Sequence, residues 1–377
     1  MTVTYSLSEQ NTNTAYFSYG GNSEGLPIYE VKEVTDTSGQ TENYYLLPLP
    51  AEVVNSDYAA QDFYQKITIQ DTKSETSGTA VSYYYSPHFA NTVVAKNEIT
   101  SEDELVDKAD QLQVEVRTPR HLYNLSQFEA YYASGHQYRF LQQLDLNYKD
   151  YTGYDLFQSG WFQNPIGIDA NSPFRCSYYG NHHRITGVVP AASHGDEKYQ
   201  YVGLFGYSTG VLQNVVYEMQ ETALSISQSG SSSKTLYAGA LAGYNGGTMS
   251  NCAAFGVQLQ ASGYDYSTLY LGGLVGRNQG TIRNSAVEGA AITANTSMSN
   301  AYAGGFVGDN SAGGYIDQCY AVGKVSVTRA RHGTVYACGF AGRSSAALSR
   351  SYAAVYLLAD GGAQRFGFCP DRSTNCV

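Results

Sequence analysis

The side chains best suited to chemistry include two adjacent histidines, His182 and His183. Histidine can act as a general base near neutral pH, and two histidines can hold a transition-metal ion. Adjacent side chains on a strand or turn point to opposite sides of the chain, so this pair does not converge on one ion. We therefore expect no metal ion or other cofactor.

Carboxylates are the second group with catalytic potential, because a polysaccharide-cleaving enzyme built on a β-helix needs them clustered on one outer face. Four of them lie close together in the sequence: Asp145, Asp150, Asp155 and Asp169. We interpret these four residues as solvated loop residues. The Cys and His residues are scattered, so no catalytic residue is predicted. A carbohydrate-active enzyme of β-helical fold stays open as an alternative.

One polar position recurs along the C-terminal half of the chain. It is occupied by Ser208, Asn245, Asn278, Asn310 and Ser344, and the residues directly before it are Tyr207, Tyr244, Arg277, Asp309 and Arg343. Asn and Ser in a turn hydrogen-bond to nearby backbone, which explains the polar position by itself, and we favour this interpretation. The alternative is a repeated strip that contacts a ligand. Its candidate binding residues are Tyr207, Tyr244, Arg277, Asp309 and Asn310.

Both of these recurring positions belong to a repeated unit. Its clearest copy is GGLVGRNQGTIRNS, residues 272–285, and a glycine lies two residues after each of its five apolar anchors: Leu204, Leu241, Leu274, Phe306 and Phe340. Successive anchors are 37, 33, 32 and 34 residues apart, a period typical of stacked-repeat architectures. Each copy contains short apolar runs around a Gly-containing polar loop and has no helical period, so its content is strand-like.

A unit this short cannot bury its own apolar face. Stacking the copies at roughly 4.8 Å per layer pairs each strand with its equivalents above and below, so the sequence predicts a β-solenoid. Its coils should contain about 33 residues each. The anchors should form one interior ladder of equivalent side chains. The apolar residues that follow them by eight or ten positions should form another: Leu212, Met249, Ile282, Ile316 and Leu348.

Two stretches, residues 272–285 and AGGFVGDNSAGGYIDQCYAVG at 303–323, resemble the GLUG repeat family. This family occurs in large bacterial cell-surface proteins, including adhesins and some immunoglobulin A peptidases. The preceding block is similar to the module often found before such repeats, in Thr118-Pro119, Leu122, Leu125, the LDL of 144–146, the PIG of 165–167, Phe174, the GNHHRI of 180–185 and Gly187. The resemblance covers residues 117–377. It implies a solenoid within a surface protein and carries no catalytic residues.

The predicted fold class is all-β, in three regions. Residues 1–100 lack the glycine ladder, contain strand and hairpin-turn patterns and should form a small β-rich, sandwich-like domain. Residues 101–116 are interpreted as a linker, in which residues 101–113 could instead form a short helix. Residues 117–377 are the solenoid, with a cap module at 117–198 and repeats at 199–377. The apolar spacing of residues 117–135 predicts a helix that covers the open edge of the first coil, which would otherwise promote aggregation.

The composition restricts the partners. A total of 22 Lys and Arg against 33 Asp and Glu gives a net charge of −11, which disfavours nucleic acid and anionic membranes. The chain shows no leader pattern and no apolar run of membrane-spanning length, so we expect no membrane insertion by this chain and place any leader or anchor outside this sequence. The 35 tyrosines favour strand surfaces and stacked ladders, or else a face that contacts glycans or proteins.

The six cysteines contain no CxxC pair, so zinc or thioredoxin-like chemistry is not predicted. Cys252 and Cys319 occupy the same repeat position, with Ser285 between them. They should lie two layers apart, roughly 10 Å at the strand spacing, which is too far for a disulfide. We expect both to be small buried residues. Cys369 and Cys376 could close a small loop.

These observations favour a non-enzymatic, adhesin-like bacterial protein at the cell surface or outside the cell, whose solenoid presents a surface for host or microbial glycans or proteins. A structural subunit that self-assembles into a surface fibre or pilus is an alternative, beside the carbohydrate-active enzyme. Specificity should lie where the repeat is interrupted: the insertion at 311–314, the loop at 228–235 and residues 1–100.

Overall fold

The computed structural model describes residues 138–151, 162–194, 197–219, 223–228, 235–263 and 268–370 continuously, and before them several strands, one helix and Tyr132. The chain divides into two units, residues 1–115 and 116–377. The strands before residue 117 are Thr2–Ser6, Tyr16–Tyr19, Glu30–Thr35, Thr41–Leu46, Gln65–Gln70, Val81–Tyr85, Ala90–Thr92 and Gln113–Val116. Their pairs are antiparallel, as in Thr2–Ser6 with Tyr16–Tyr19 and with Gln65–Gln70.

These strands agree with the predicted β-rich content of the first region. Its sandwich-like packing stays a prediction, as do the domain boundaries. Residues 101–112 of the predicted linker and most of the connections between the early strands lie outside the described residues.

The predicted helix is present as Pro119–Gln127. Pro119 opens it, as expected for a residue whose fixed φ suits the first helical turn. Leu122 and Leu125, three residues apart on one face, are fully buried. That the helix covers the first coil stays a prediction. Among the described residues, no helix combines the length and apolar character needed to cross a membrane.

The second unit is a parallel β-solenoid whose coils each pass through four faces. Face 1 consists of Tyr201–Val202, Leu236–Gly239, Thr268–Gly272, Asn300–Gly304, Val335–Cys338 and Gln364–Phe366. Face 2 consists of Phe205–Ser208, Ala242–Asn245, Val275–Asn278, Val307–Asn310 and Ala341–Ser344. We number five coils by the face 1 strand that begins each: Tyr201, Leu236, Thr268, Asn300 and Val335.

Faces 3 and 4 complete each coil. Face 3 consists of Arg139–Gln142, Ser177–Tyr179, Val211–Gln213, Thr248–Ser250, Thr281–Arg283, Tyr315–Asp317 and Ala347–Ser349. Face 4 consists of Leu146–Asn147, Arg184–Thr186, Val216–Glu218, Leu224–Gln228, Ala253–Phe255, Gln258–Gly263, Ala286–Thr296, Tyr320–Arg329 and Tyr352–Asp360. Shorter elements are the 3-10 helix Tyr148–Tyr151 and the strand pairs Phe162–Gln163 with Val189–Pro190 and Ser193–His194 with Glu197–Lys198.

Both predicted interior ladders are confirmed. Leu204, Leu241, Leu274, Phe306 and Phe340 are all buried, as are Leu212, Met249, Ile282, Ile316 and Leu348. The second ladder is in register, since Met249 pairs with Leu212 on one side and Ile282 on the other. Phe306 and Phe340 stack with ring centroids 4.7 Å apart, and Phe368 continues this stack at 4.7 Å. The insertion at 311–314 is absorbed in a turn, so Ile282 still pairs with Ile316.

A glycine in each of the second to fifth coils brings faces 1 and 2 into backbone contact. A Cβ on Gly276 would lie 2.4 Å from the backbone nitrogen of Ala238 and 2.6 Å from the carbonyl carbon of Tyr237. Gly243, Gly308 and Gly342 have equally close backbone neighbours on face 1. Only glycine allows this approach, since any Cβ would overlap the facing strand. The result is that side chains from faces 1 and 2 lie beside one another.

Candidate functional site

Face 1 presents a row of tyrosines, one from each coil: Tyr201, Tyr237, Tyr270, Tyr302 and Tyr336. The row arises from strand alternation, since Leu269 and Leu271 point inward and are fully buried while Tyr270 between them points outward. The first four rings stack with centroids 5.5, 5.1 and 5.1 Å apart and planes within 13° of parallel. The last ring is edge-on to Tyr302, at 5.5 Å.

The second row, on face 2, contains most of the binding residues predicted from the sequence. Tyr207, Tyr244, Arg277, Asp309 and Arg343 are paired in register from coil to coil. The rings of Tyr207 and Tyr244 stack at 4.0 Å. Tyr201 of face 1 meets both rings edge-on, at 4.9 and 5.8 Å. The two rows therefore form one continuous surface.

Arg277 joins the two rows and the insertion. Its guanidinium donates to the hydroxyl of Tyr237 at 3.0 Å, lies over the Tyr237 ring and is 3.6 Å from the Asp309 carboxylate. It also donates to Ser311 Oγ at 2.9 Å, so the insertion predicted to affect specificity contacts this surface. Arg343 repeats the pattern with a 3.4 Å contact to the hydroxyl of Tyr270.

We call these ten residues the tyrosine strip: Tyr201, Tyr207, Tyr237, Tyr244, Tyr270, Arg277, Tyr302, Asp309, Tyr336 and Arg343. The central rings of Tyr237, Tyr244 and Tyr270 are each 8% exposed, and the outer tyrosines are half-buried. Because stacked rings cover one another's faces, a ligand meets their edges and hydroxyls. Burial raises the pKa of Tyr201, Tyr207, Tyr237 and Tyr302, so these phenols stay protonated as hydrogen-bond donors at neutral pH.

Asn310, the fifth predicted binding residue, belongs instead to a buried ladder. Asn245 donates to Asn278 at 2.8 Å, Asn278 to Asn310 at 2.9 Å, and Asn310 to Ser344 Oγ at 3.2 Å. The three asparagines are fully buried, so a ligand at the surface would not reach Asn310. The sequence interpretation gave these residues backbone partners. Asn278 does bond to the Gly280 carbonyl, but stacking adds a side-chain partner in the next coil.

Ser208 occupies the equivalent buried position in the first coil, in register with Asn245. Residues 206–210 have the GxSxG spacing of a nucleophile elbow, yet Ser208 is fully buried. A nucleophile must reach its substrate. The position is therefore structural in this protein.

The histidines and carboxylates do not assemble into a catalytic group among the described residues. His183 Nδ1 lies 3.3 Å from Asp145, whose carboxylate also accepts the backbone N–H of Arg184 at 2.9 Å, while His182 is exposed in a left-handed turn. Asp169 accepts two backbone N–H groups within its own turn. The side chain of Asp150 and the whole of Asp155 lie outside the described residues. Within the described ranges, no three His, Cys, Asp or Glu side chains could hold a metal ion.

The cysteine predictions are confirmed where they are described. Cys252 and Cys319 are buried thiols, and the Cys252 N–H donates to Ser285 Oγ in the coil between them. Burial raises the pKa of each to about 12. Cys376, and with it the proposed loop from Cys369, lies outside the described residues.

The face 1 tyrosine row was missed from the sequence, although a signal for it exists. Tyr237, Tyr270, Tyr302 and Tyr336 each lie four residues before an anchor of the repeat, and Tyr201 lies three before its own. The repeated spacing, followed four residues upstream of the anchors, predicts this row. Its closeness to the Arg277 row could not have been found, because it depends on the backbone contact between faces 1 and 2.

A comparison with known families agrees with this geometry. The family model of the GLUG motif matches residues 267–293. The match runs from the face 1 strand of the third coil, through Arg277 and Asn278, into the face 4 strand Ala286–Thr296. No curated protein matches the chain, and no solved structure does. The motif and the stacked coils together support a GLUG-repeat protein built as a β-solenoid.

Proposed function

We propose that this chain is a non-enzymatic, adhesin-like protein that a bacterium displays at its surface or secretes. We further propose that the tyrosine strip binds a glycan. The observation that supports this is a surface repeated once per coil, with phenol hydroxyls in one row and Arg277 and Arg343 in the other. A ligand that itself repeats along its length suits such a surface. Glycans repeat in this way and offer hydroxyls at every unit.

Rigidity also supports the proposal. Tyr and Arg are enriched in binding surfaces because they supply large contact areas with few rotatable bonds or with fixed donor geometry. In the strip, the rings are held by stacking and Arg277 by three different neighbours, so little ordering is required on binding. A protein ligand would use the same side chains and is an outcome of the test.

The test is a glycan array followed by titration calorimetry with the best glycan. We expect Tyr302→Ser combined with Tyr336→Ser, both half-buried members of the strip, to weaken binding at least roughly tenfold. The matched control is Tyr356→Ser, on face 4, where the tyrosine is 65% exposed and its loss should leave binding unchanged. Circular dichroism and melting temperature verify that each variant folds.

Three results would contradict the proposal. If the control Tyr356→Ser weakened glycan binding as much as the double variant does, the glycan would not bind at the tyrosine strip. Binding only to proteins would replace the glycan by a protein partner. Release of shortened glycan products, measured by mass spectrometry, would favour the carbohydrate-active enzyme.

A fibre or pilus subunit is the second candidate, and one observation favours it. Within the described part of the chain, the strand Tyr352–Asp360 is paired on one side only, with Tyr320–Arg329. An apolar strand with a free edge can pair with another chain. Sedimentation velocity across a wide range of concentrations tests this candidate, and a monomer throughout would argue against it.

A further inference from the structure

A stacked tyrosine pair on face 4 lies apart from the tyrosine strip. Tyr320 and Tyr352 are register partners in the fourth and fifth coils. Their ring centroids are 5.1 Å apart and their planes differ by 5°. Tyr352 is 49% exposed and Tyr320 is half-buried, so dissolved reagents reach the pair.

The pair has a proton acceptor in place. The Tyr320 hydroxyl donates a short hydrogen bond to Glu288 Oε1, from the third coil. Glu288 lies two residues after Ala286, the register partner of Tyr320, and so on the same face of the sheet, where the strand Ala286–Thr296 changes register between Val287 and Ala290. This hydrogen bond, with burial, raises the pKa of Tyr320 to about 12. The phenol is therefore neutral at physiological pH, and removing an electron from it requires a base for the proton.

The tyrosine strip offers a contrast with the same stacking and different chemistry. Tyr237 and Tyr270 stack at 5.1 Å and 8°, but each is only 8% exposed. Their hydroxyls accept hydrogen bonds from Arg277 and Arg343. A guanidinium has no acceptor and stays protonated, so it cannot take the phenol proton. The exposed pair has a carboxylate hydrogen-bonded to Tyr320, whereas Tyr237 and Tyr270 are nearly buried and their hydroxyls are bonded by arginines.

We propose that Tyr320 and Tyr352 form an oxidative cross-linking site, at which a haem peroxidase with hydrogen peroxide joins the two rings into a dityrosine. Each phenol loses one electron and one proton, and the proton of Tyr320 passes to Glu288. The two phenoxyl radicals couple through one ortho carbon of each ring, and the hydrogen displaced from each of these carbons moves to the phenol oxygen of its own ring. The peroxide takes up two electrons and two protons, its O–O bond breaks, and two waters form.

The fold favours this intramolecular product. Parallel strands in register hold the rings of Tyr320 and Tyr352 parallel with their centroids 5.1 Å apart, so the two rings are already neighbours before oxidation. Tyr352 lies on a strand with one free edge among the described residues, so its ring can tilt to make the bond. The bond would link the fourth and fifth coils covalently. This inference is independent of the glycan proposal, since none of the three residues belongs to the tyrosine strip.

The test treats the full chain, at low concentration, with peroxidase and hydrogen peroxide. Tryptic peptides are then analysed by mass spectrometry. We expect one linked product of residues 284–324 with residues 351–365, lighter than the sum of the two peptides by two hydrogen atoms. Fragmentation should place the link at Tyr320 and Tyr352. Dityrosine fluorescence gives the rate.

Variants separate the roles of the residues. Tyr320→Phe and Tyr352→Phe should each abolish the linked product, while the control Tyr356→Phe, within the same second peptide, should leave it unchanged. Glu288→Gln keeps the hydrogen-bond acceptor but removes the base, and it should slow cross-linking at least roughly tenfold. An unchanged rate in Glu288→Gln would overturn the role of Glu288. A linked product that survives in Tyr320→Phe, or links only between molecules, would overturn the site itself.

Discussion

Arg277 and Asn278 are adjacent in the sequence, yet they belong to two ladders with opposite properties. Asn278 is fully buried, and its asparagine neighbours in the coils before and after make the same hydrogen bond. Arg277 is partly exposed, and the equivalent positions around it hold Tyr244, Asp309 and Arg343. The inner ladder holds only Asn and Ser, whereas the outer row holds Tyr, Arg and Asp.

Burial explains the difference between the two ladders. A buried amide without a hydrogen-bond partner costs about 1–3 kcal/mol, which favours side chains at the interior position that can pair with the next layer. At the outer position, Arg277 is partly exposed and can hydrogen-bond to water, while the buried Asp309 has the Arg277 guanidinium 3.6 Å from its carboxylate. Tyr, Arg and Asp can therefore all occupy this position. Variation in the outer row is therefore compatible with the scaffold, and ligand specificity can reside there.

The largest effect is expected where the two faces touch. Gly276→Ala should lower the free energy of unfolding by more than about 4 kcal/mol, since its Cβ would overlap the backbone of Ala238 and Tyr237. Gly367→Ala is the matched control, because a Cβ there meets nothing within 4 Å, and its effect should stay within about 0.5 kcal/mol. Urea denaturation measures both. Similar stabilities would contradict the close approach of faces 1 and 2.

The interior ladder should give the next largest effect. Asn278→Ala removes the partners of the Asn245 amide nitrogen and the Asn310 oxygen, and it should lower the free energy of unfolding by about 3 kcal/mol. Urea denaturation measures the loss. A change no larger than that of an exposed residue would show that the ladder does not stabilise the solenoid.

Asp317 tests a case between the two ladders, since its buried carboxylate pairs with the exposed Arg350. Hydrogen bonds from Arg350 and Ser349 lower the pKa of Asp317 from 3.8 to about 2. Because the folded state holds this proton less readily than the unfolded chain, Asp317 stabilises the fold above about pH 4 and loses that contribution as the pH falls towards 2. Asp317→Asn should be less stable at neutral pH and should show a flatter stability profile between pH 4 and 2. Parallel profiles for the two proteins would contradict this role.

The smallest effect is expected in the tyrosine strip. Tyr302→Ala removes one stacked and one edge-on ring contact and should lower the free energy of unfolding by about 1 kcal/mol. Urea denaturation of Tyr302→Ala and Asn278→Ala compares the loss of unfolding free energy in the tyrosine strip with that in the buried ladder. A loss as large as that of Asn278→Ala would mean that the strip is part of the scaffold rather than a surface available for binding.

The sequence by itself determined the periodic part of this protein. Leu274 and Ile282 lie eight residues apart, an offset kept in four of the five copies, and in a stacked repeat such an offset places equivalent side chains above one another. The solenoid, its coil length and its two apolar ladders follow from that regularity. The position of Cys252 and Cys319 two layers apart follows in the same way.

The tertiary structure alone decided which rows face outward and which rows meet. Tyr237 and Arg277 are 40 residues apart, and they come together because glycine lets two backbones touch. Asn310 and Asp309 look equivalent as candidates in the sequence, but the strand turns one inward to the ladder and the other to the strip. The hydrogen bond from Tyr320 to Glu288 joins residues 32 positions apart at a local change of register, and no spacing in the sequence predicts it. Contacts between faces depend on how the coil closes in three dimensions, and a linear period does not contain that information.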